Sequence, residues 1–245
     1  MGDPGRAIVN TVRVIGRGRA GRSLATALGR AGWGLGGVLG REDDVQEAAA
    51  GVDLLVIAVP DDAVANVAAS VTPSQSTVVA HMAGSLGLDV LDPHPRRAAV
   101  HPLASLPSPE LGAERLRGAW FAIAGDHLIE SVVASLDGRS FTVTDRQRAA
   151  YHAAAAIASN HLVALLGQVE RIAASVDVPF EAYLDLVRAT VENVAVLGAA
   201  EALTGPAARG DEATIARHID ALPADERQLY EVLAEACRKL ATWKS

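Results

Sequence analysis

The spacing of apolar residues changes period once along the chain, near Asp145, and this change limits the fold more than any single motif. From Arg13 to about Thr144 short aliphatic runs alternate with helical segments. RVIG (13–16), LGGVLG (35–40), DLLVIAVP (53–60), STVVAHMAG (76–84), RAAVHPL (97–103), AWFAIAG (119–125) and SFTVT (140–144) read as strands, with helices at about 21–31, 43–50, 62–71 and 126–136. Continuous apolar strands flanked by helices signal a parallel sheet covered on both faces. After Asp145, DRQRAAYHAAAAIASNHLVALLGQVERIAASV reads as one amphipathic helix of about eight turns. Helices follow at about 180–203, 211–221 and 224–242, and the Pro- and Gly-rich stretch 102–118 is the longest irregular segment. The expectation is an α/β domain, residues 1–145, with a doubly wound, mostly parallel sheet, followed by an all-helical domain, residues 146–245.

Composition narrows the function. A chain of 245 residues can bury a core, and with half its residues hydrophobic but only 4% aromatic that core is aliphatic. A net charge of −7 argues against a general nucleic-acid binder and fits a protein that handles small molecules. The single cysteine, Cys237, allows no internal disulfide and suits a reducing cytoplasm. The opening MGDPGRAIVNTV lacks the apolar core of a secretion signal. The most apolar run, Ala153 to Gly167, is interrupted by Asn160 and His161 and reads as too short and polar to span a bilayer. No metal site is expected. Of 22 basic side chains only Lys239 and Lys244 are lysines, so chemistry that needs a lysine in an internal cleft is close to excluded.

The sequence VRVIGRGRAGRSLATAL places Gly16, Gly18 and Gly21 in G-x-G-x-x-G spacing between an expected strand and an expected helix. Gly16 permits the tight turn, Gly18 lets a pyrophosphate approach the backbone, and Gly21 lets helix and sheet pack closely. About twenty residues on, where an NAD-binding chain carries Asp or Glu for the ribose 2′-hydroxyl, this chain has Arg41. An arginine there suits a 2′-phosphate, so NADP(H) is the expected cofactor. Arg17, inside the glycine loop, is a second candidate for the same phosphate.

A polar turn, LTGPAARGDEATIARHI (203–219), interrupts the alanine-rich helices. Gly205 and Pro206 end one helix, and Asp211 is placed to cap the next, with Thr214 in its first turn. Capping leaves Arg209 unexplained, together with Thr214 and His218 at i, i+4 on one face. A guanidinium beside helix N-terminal donors would bind a small carboxylate, with Arg209 as the anchor.

The glycine loop, followed by a helical domain opening with a long helix, resembles the 6-phosphogluconate dehydrogenase-like superfamily. The closer resemblance lies in AVPDDAV, AHMAGS, VHPLASL, YHAAAAIASNHLVAL and the polar turn together. These look like the Rossmann-like family with a C-terminal domain of unknown function, which includes alternative ketopantoate reductases. The resemblance covers essentially the whole chain and implies a Rossmann-like domain, an all-α 6-phosphogluconate dehydrogenase-like domain, and a cleft between them for nicotinamide and substrate. It implies that loops after successive strands supply residues 59–62, 81–85 and 101–106 to the site, with Val59 and Pro60 against the cofactor. It also implies that Asn160 matches the asparagine of the superfamily's K-x-x-x-N pattern. The lysine position four residues earlier is Ala156 here, so the usual proton donor is missing.

A replacement donor is therefore needed, and histidine suits the task because its pKa lies near the working pH. His101, which follows a strand and precedes Pro102, and His81, which ends the preceding strand, are the candidates. Ser85 is a candidate for substrate binding, Asn160 would orient the carbonyl, and Asp211, Thr214 and His218 join Arg209 around the carboxylate. Tyr151 and His152 are further polar residues on the long helix, with weaker claims. The expected activity is NADPH-dependent reduction of a small oxo acid, 2-dehydropantoate first, by a cytoplasmic homodimer. Reduction of a C=N bond, as in pyrroline-5-carboxylate reductases, and a catalytically silent NADP(H) sensor are the alternatives.

Overall fold

The computed structural model describes residues 10–243, and the chain parts into two compact units between Ser159 and Asn160. In the first unit all seven expected strands form: β1 (Thr11–Ile15), β2 (Gly34–Leu39), β3 (Leu54–Ile57), β4 (Val78–His81), β5 (Arg97–Pro102), β6 (Trp120–Gly125) and β7 (Arg139–Thr142). They make one sheet in the order β2-β1-β3-β4-β5-β6-β7. Only the β5–β6 pair is antiparallel. The chain reverses direction across the sheet at β1, whose neighbours are β2 and β3, and such a switch point opens a crevice at the carboxyl ends of the strands.

Alternation along the strands divides the core in two, as a period of two requires. Val12, Val14, Leu54 and Val56 face one side, under α1 (Arg19–Arg30), α3 (Pro109–Leu116) and α4 (Leu128–Ser135). Ile15, Leu55 and Ile57 face the other, with α2 (Val64–Ser70) and the Ala48–Ala49 turn. Two local expectations are corrected. Residues 43–50 form turns instead of a helix, because Asp43 accepts from the Gly40 N–H and Asp44 from the Gln46 N–H, diverting the backbone. Conversely, the stretch 102–118 contains α3, which starts where Ser108 accepts from the Leu111 N–H and Pro109 occupies the first turn.

The long helix also forms. It runs 31 residues, Asp145–Ser175, as α5 (Asp145–Ala156), a π-helical turn (Ile157–His161) and α6 (Leu162–Ser175). A capping box between Thr144 and Gln147 starts it directly after β7. The expected boundary at 145 therefore moves to about 159, since Tyr151 packs on His101 and Phe141 of the first unit. The apolar segment is also longer than the 153–167 run. By length and composition the helix could cross a membrane, with an 18-residue window of mean hydropathy 1.2 and none of that window buried. One such helix is weak grounds for a span, because core helices of soluble proteins meet the same measure.

The second unit continues with α7 (Phe180–Leu197), α8 (Ala199–Ala202), α9 (Pro206–Arg209), α10 (Glu212–Ala221) and α11 (Ala224–Thr242). Its buried centre is small. Gln168, Ala173, Ile215, Glu226 and Ala234 are its buried residues, and Gln168 donates to the Glu226 carbonyl at 2.9 Å while Arg171 pairs with the Glu226 carboxylate.

Candidate functional site

The glycine loop occupies the switch point. Gly16 has φ +126°, where L side chains are strained, and a Cβ there would collide with the Ala58 carbonyl oxygen. A Cβ on Gly21 would collide with the Gly16 carbonyl, so these two positions have no room for any side chain. Gly18 differs: a Cβ there would meet nothing within 4 Å. It stands at the N-terminus of α1, which has no side-chain cap and no acidic residue in its first turn. Open space against uncapped helical N–H groups is what an anionic diphosphate needs.

Arg41 is exposed just after β2. Arg17 lies over Gly40, donating from Nε to the Val38 carbonyl at 3.2 Å and pairing with Asp43 at 2.8 Å. Arg17 thus reaches the segment after β2 in which Arg41 stands, with Asp43 already engaged by Arg17. Val59 and Pro60 follow β3, and the neighbouring Asp61 accepts a 2.7 Å hydrogen bond from Ser85. That bond ties the loop after β3 to the loop after β4.

At the ends of β4 and β5 the structure assembles a polar cluster with α5. His101 Nδ1 lies 2.6 Å from the Tyr151 hydroxyl, and its ring stands edge-on to Tyr151 and to His152, with the His152 centroid 5.3 Å away. Both histidine rings close on the Gly84 backbone, where a Cβ would collide with His152 Nδ1. Arg148, Tyr151 and His152 come from one face of α5 at i, i+3, i+4.

Electrostatics reassign the roles expected of the histidines. Burial pushes His101 down to about 4, with His152 and Arg148 adding to the effect. It is neutral near pH 7 and is not the cationic acid expected of it. Burial likewise pushes His81 down to about 4, with Arg148 adding. His81 Nε2 is 3.1 Å from the Gly87 carbonyl, so Nε2 carries the proton and the buried Nδ1 is a bare acceptor. His81 thereby braces the 84–87 loop and has no spare proton to give. Tyr151 is pushed up to about 12 by burial, opposed by the charge of Arg148, and so keeps its proton.

Sequence reasoning gave Tyr151 and His152 too little weight and missed Arg148. The Arg148 side chain is fully buried and its nitrogens make no hydrogen bond; Asp145, 57% exposed, lies 3.6 Å from Nε.

The remaining candidates belong to the second unit. Asn160 is exposed within the π-helical turn, a helix defect frequent at functional sites. Asp211 caps α10, accepting from the Thr214 N–H at 3.0 Å and from the Thr214 hydroxyl at 2.7 Å, and Arg217 donates to the same hydroxyl. His218 Nδ1 is 2.7 Å from the Tyr230 hydroxyl. Capping and a local bond to α11 thus account for Asp211, Thr214 and His218. Arg209 is exposed and makes no ion pair or side-chain hydrogen bond among the described residues.

No curated protein matches the chain by sequence. Among solved structures it is similar to a Bacteroides fragilis protein assigned as an NADP oxidoreductase, with TM-score 0.79 and 22% identity over 94% of this chain and 98% of that one. Pyrroline-5-carboxylate reductase from Streptococcus pyogenes gives 0.65 and 13%, over 94% and 98%. A reductive aminase from Aspergillus terreus, solved with NADPH, gives 0.62 and 17%, over 97% and 89%. At these identities the likeness is one of fold. The Rossmann-like domain family matches residues 41–107, beginning after the glycine loop, and the Domain of unknown function DUF2520 matches residues 121–237. Two family models thus match the chain in succession, a Rossmann-like domain and, C-terminal to it, the DUF2520 domain.

Proposed function

We propose that the protein is an NADP(H)-dependent reductase of a small oxo acid, with 2-dehydropantoate as the first candidate substrate. The observation that carries this reading is a glycine loop closed at Gly16 and Gly21 but open at Gly18, in the same sheet as the His101–Tyr151 pair at the end of β5. Bound NADPH would supply the hydride. Residues 16–21 and the α1 N-terminus would hold its diphosphate, and Arg41, with Arg17 nearby, its 2′-phosphate. His101 in its Nδ1–H form would donate to the Tyr151 oxygen, leaving the phenolic proton for the substrate oxygen as negative charge develops there. This arrangement replaces the absent lysine with a neutral acid.

Reduction of a C=N bond is favoured by one observation: neither His101 nor Tyr151 is a strong acid, and a protonated imine needs no strong acid. The names of the reductive aminase and pyrroline-5-carboxylate reductase neighbours point the same way. Following NADPH oxidation with 2-dehydropantoate and with 1-pyrroline-5-carboxylate separates the readings. Turnover of the first upholds the oxo-acid reductase, and turnover of the second alone replaces it with imine reduction. NADPH binding without turnover of either leaves an NADP(H)-binding sensor.

A further inference from the structure

We propose that Arg148 is the anion anchor of this site and that its ligand is the carboxylate of a 2-oxo or 2-imino acid. The inference rests on the reductase reading for its reaction and on the structure of the first unit for its geometry. Arg148 is the largest fully buried side chain among the described residues. Burying a guanidinium is costly unless its donors are paired, and natural interiors pair them. Here Nε, Nη1 and Nη2 are all without hydrogen bonds. Asp145 forms an i, i+3 ion pair with Nε at 3.6 Å, which offsets part of the charge, but it is more than half exposed, and at that distance the guanidinium donors stay without hydrogen bonds.

The surrounding groups make an anion the fitting partner. Lowered pKa values keep His81 and His101 neutral near pH 7, so neither competes with the Arg148 guanidinium for an anion. The nearby Asp61 carboxylate accepts a hydrogen bond from Ser85 and makes none with Arg148. A planar fork of donors matches a carboxylate through two parallel bonds.

The helix sets the ligand's shape. Arg148 precedes Tyr151 by three residues, so the two side chains are neighbours on one face, about 5–6 Å apart at Cβ. A 2-oxo acid carries its carboxylate one bond from the reacting carbon. It can therefore place the carboxylate on Arg148 and its oxo oxygen near the Tyr151 hydroxyl. This assigns to Arg148, in the first unit, the role that the sequence suggested for Arg209.

The test compares 3-methyl-2-oxobutanoate with its methyl ester, read by calorimetric titration and by thermal shift, with and without NADPH. The acid should bind at least tenfold more tightly than the ester to the wild-type protein, and Arg148→Met should abolish that preference. Arg148→Lys should reduce the preference at least threefold, because an ammonium cannot make the paired bonds, and this variant decides the matter if Arg148→Met does not fold. Equal binding of acid and ester to the wild type overturns the proposal. So does an undiminished preference in a folded Arg148 variant, or loss of the preference in Arg209→Ala alone. An Arg148-dependent acid preference without NADPH oxidation would uphold the anion site and remove the reductase reading. NADPH turnover without acid preference would do the reverse.

Discussion

His101 Nδ1 and the Tyr151 hydroxyl stand 2.6 Å apart although fifty residues separate them in sequence. The bond joins the end of β5 to α5, and it pairs an imidazole kept neutral by burial with a phenol kept protonated by burial. Whichever group donates, the pair holds the tyrosine oxygen in one place. If Tyr151 gives the proton, Tyr151→Phe should lower kcat by about 10²–10⁴, the usual range for a positioned acid. NADPH affinity should stay within about twofold, since the glycine loop is untouched. Steady-state kinetics and a cofactor titration on one preparation check this, and activity close to wild type would take Tyr151 out of the chemistry.

The two buried histidines tie stability to pH. His81 and His101 titrate near 4 in the fold and near 6.5 in an unfolded chain. Between these values the unfolded chain binds more protons, so stability rises with pH through the window and levels off above it. Each histidine accounts for on the order of 3 kcal/mol lost between pH 7 and 4, at about 1.4 kcal/mol per pKa unit. Denaturant midpoints at pH 7.5, 6.5 and 5.5 isolate the effect, because carboxylates barely titrate there. The midpoint should fall toward pH 5.5, less steeply in His81→Asn, which can still donate to Gly87. A flat profile would mean that these rings are solvated.

Local signals made the first unit legible. Apolar runs of four to nine residues located every strand, and the glycine spacing located the switch point, because both are properties of neighbouring residues. The Ser108-Pro109 start of α3 was equally local and was hidden only by the proline and glycine around it. The polar cluster was legible in part. His101 and His81 could be placed at strand ends, but no local feature gives their pKa values, which depend on packing against residues far along the chain. Arg148 was invisible for the same reason: in DRQR it reads as one more charge at a helix start. The π-helical turn around Asn160 leaves the helical spacing of the sequence unbroken and so gave no sign.

The three loop glycines should separate fold from binding. Gly21→Ala forces a Cβ into the Gly16 carbonyl and should destabilise the protein by at least the ~1–3 kcal/mol typical of overpacking. Gly18→Ala adds a methyl group to open space and should leave the melting temperature almost unchanged. That methyl group stands where the diphosphate would approach the backbone, so NADPH affinity should fall about tenfold or more. A Gly18→Ala protein that binds NADPH normally would move the cofactor away from this loop.

Cofactor choice should follow Arg41. NADPH is expected to bind at least about tenfold tighter than NADH, and Arg41→Asp should remove most of that difference. Arg17→Ala should have the smaller effect, because its guanidinium is shared with Asp43 at 2.8 Å and with the Val38 carbonyl. Paired titrations with both cofactors test this, and equal affinities in the wild type would exclude Arg41 from the phosphate site.

The exposed face of α7 argues for a second copy of the chain. This helix has 18 residues and none is buried. Val191, Val194 and Leu197 recur three residues apart, at 56%, 42% and 50% exposure, and Leu186 is 61% exposed. An apolar stripe of this length is a liability on a monomer and the usual seam of a helix–helix interface. Burying it would stabilise a pair by roughly 25 cal/mol for each Å² of apolar surface removed from water. Sedimentation at micromolar concentration should therefore give about twice the 25.3 kDa chain mass. Val191→Glu combined with Val194→Glu should return it to the monomer mass, because two carboxylates in the stripe would be desolvated without partners. A wild-type protein that sediments as a monomer would refute the pairing and leave the apolar face of α7 to some other partner.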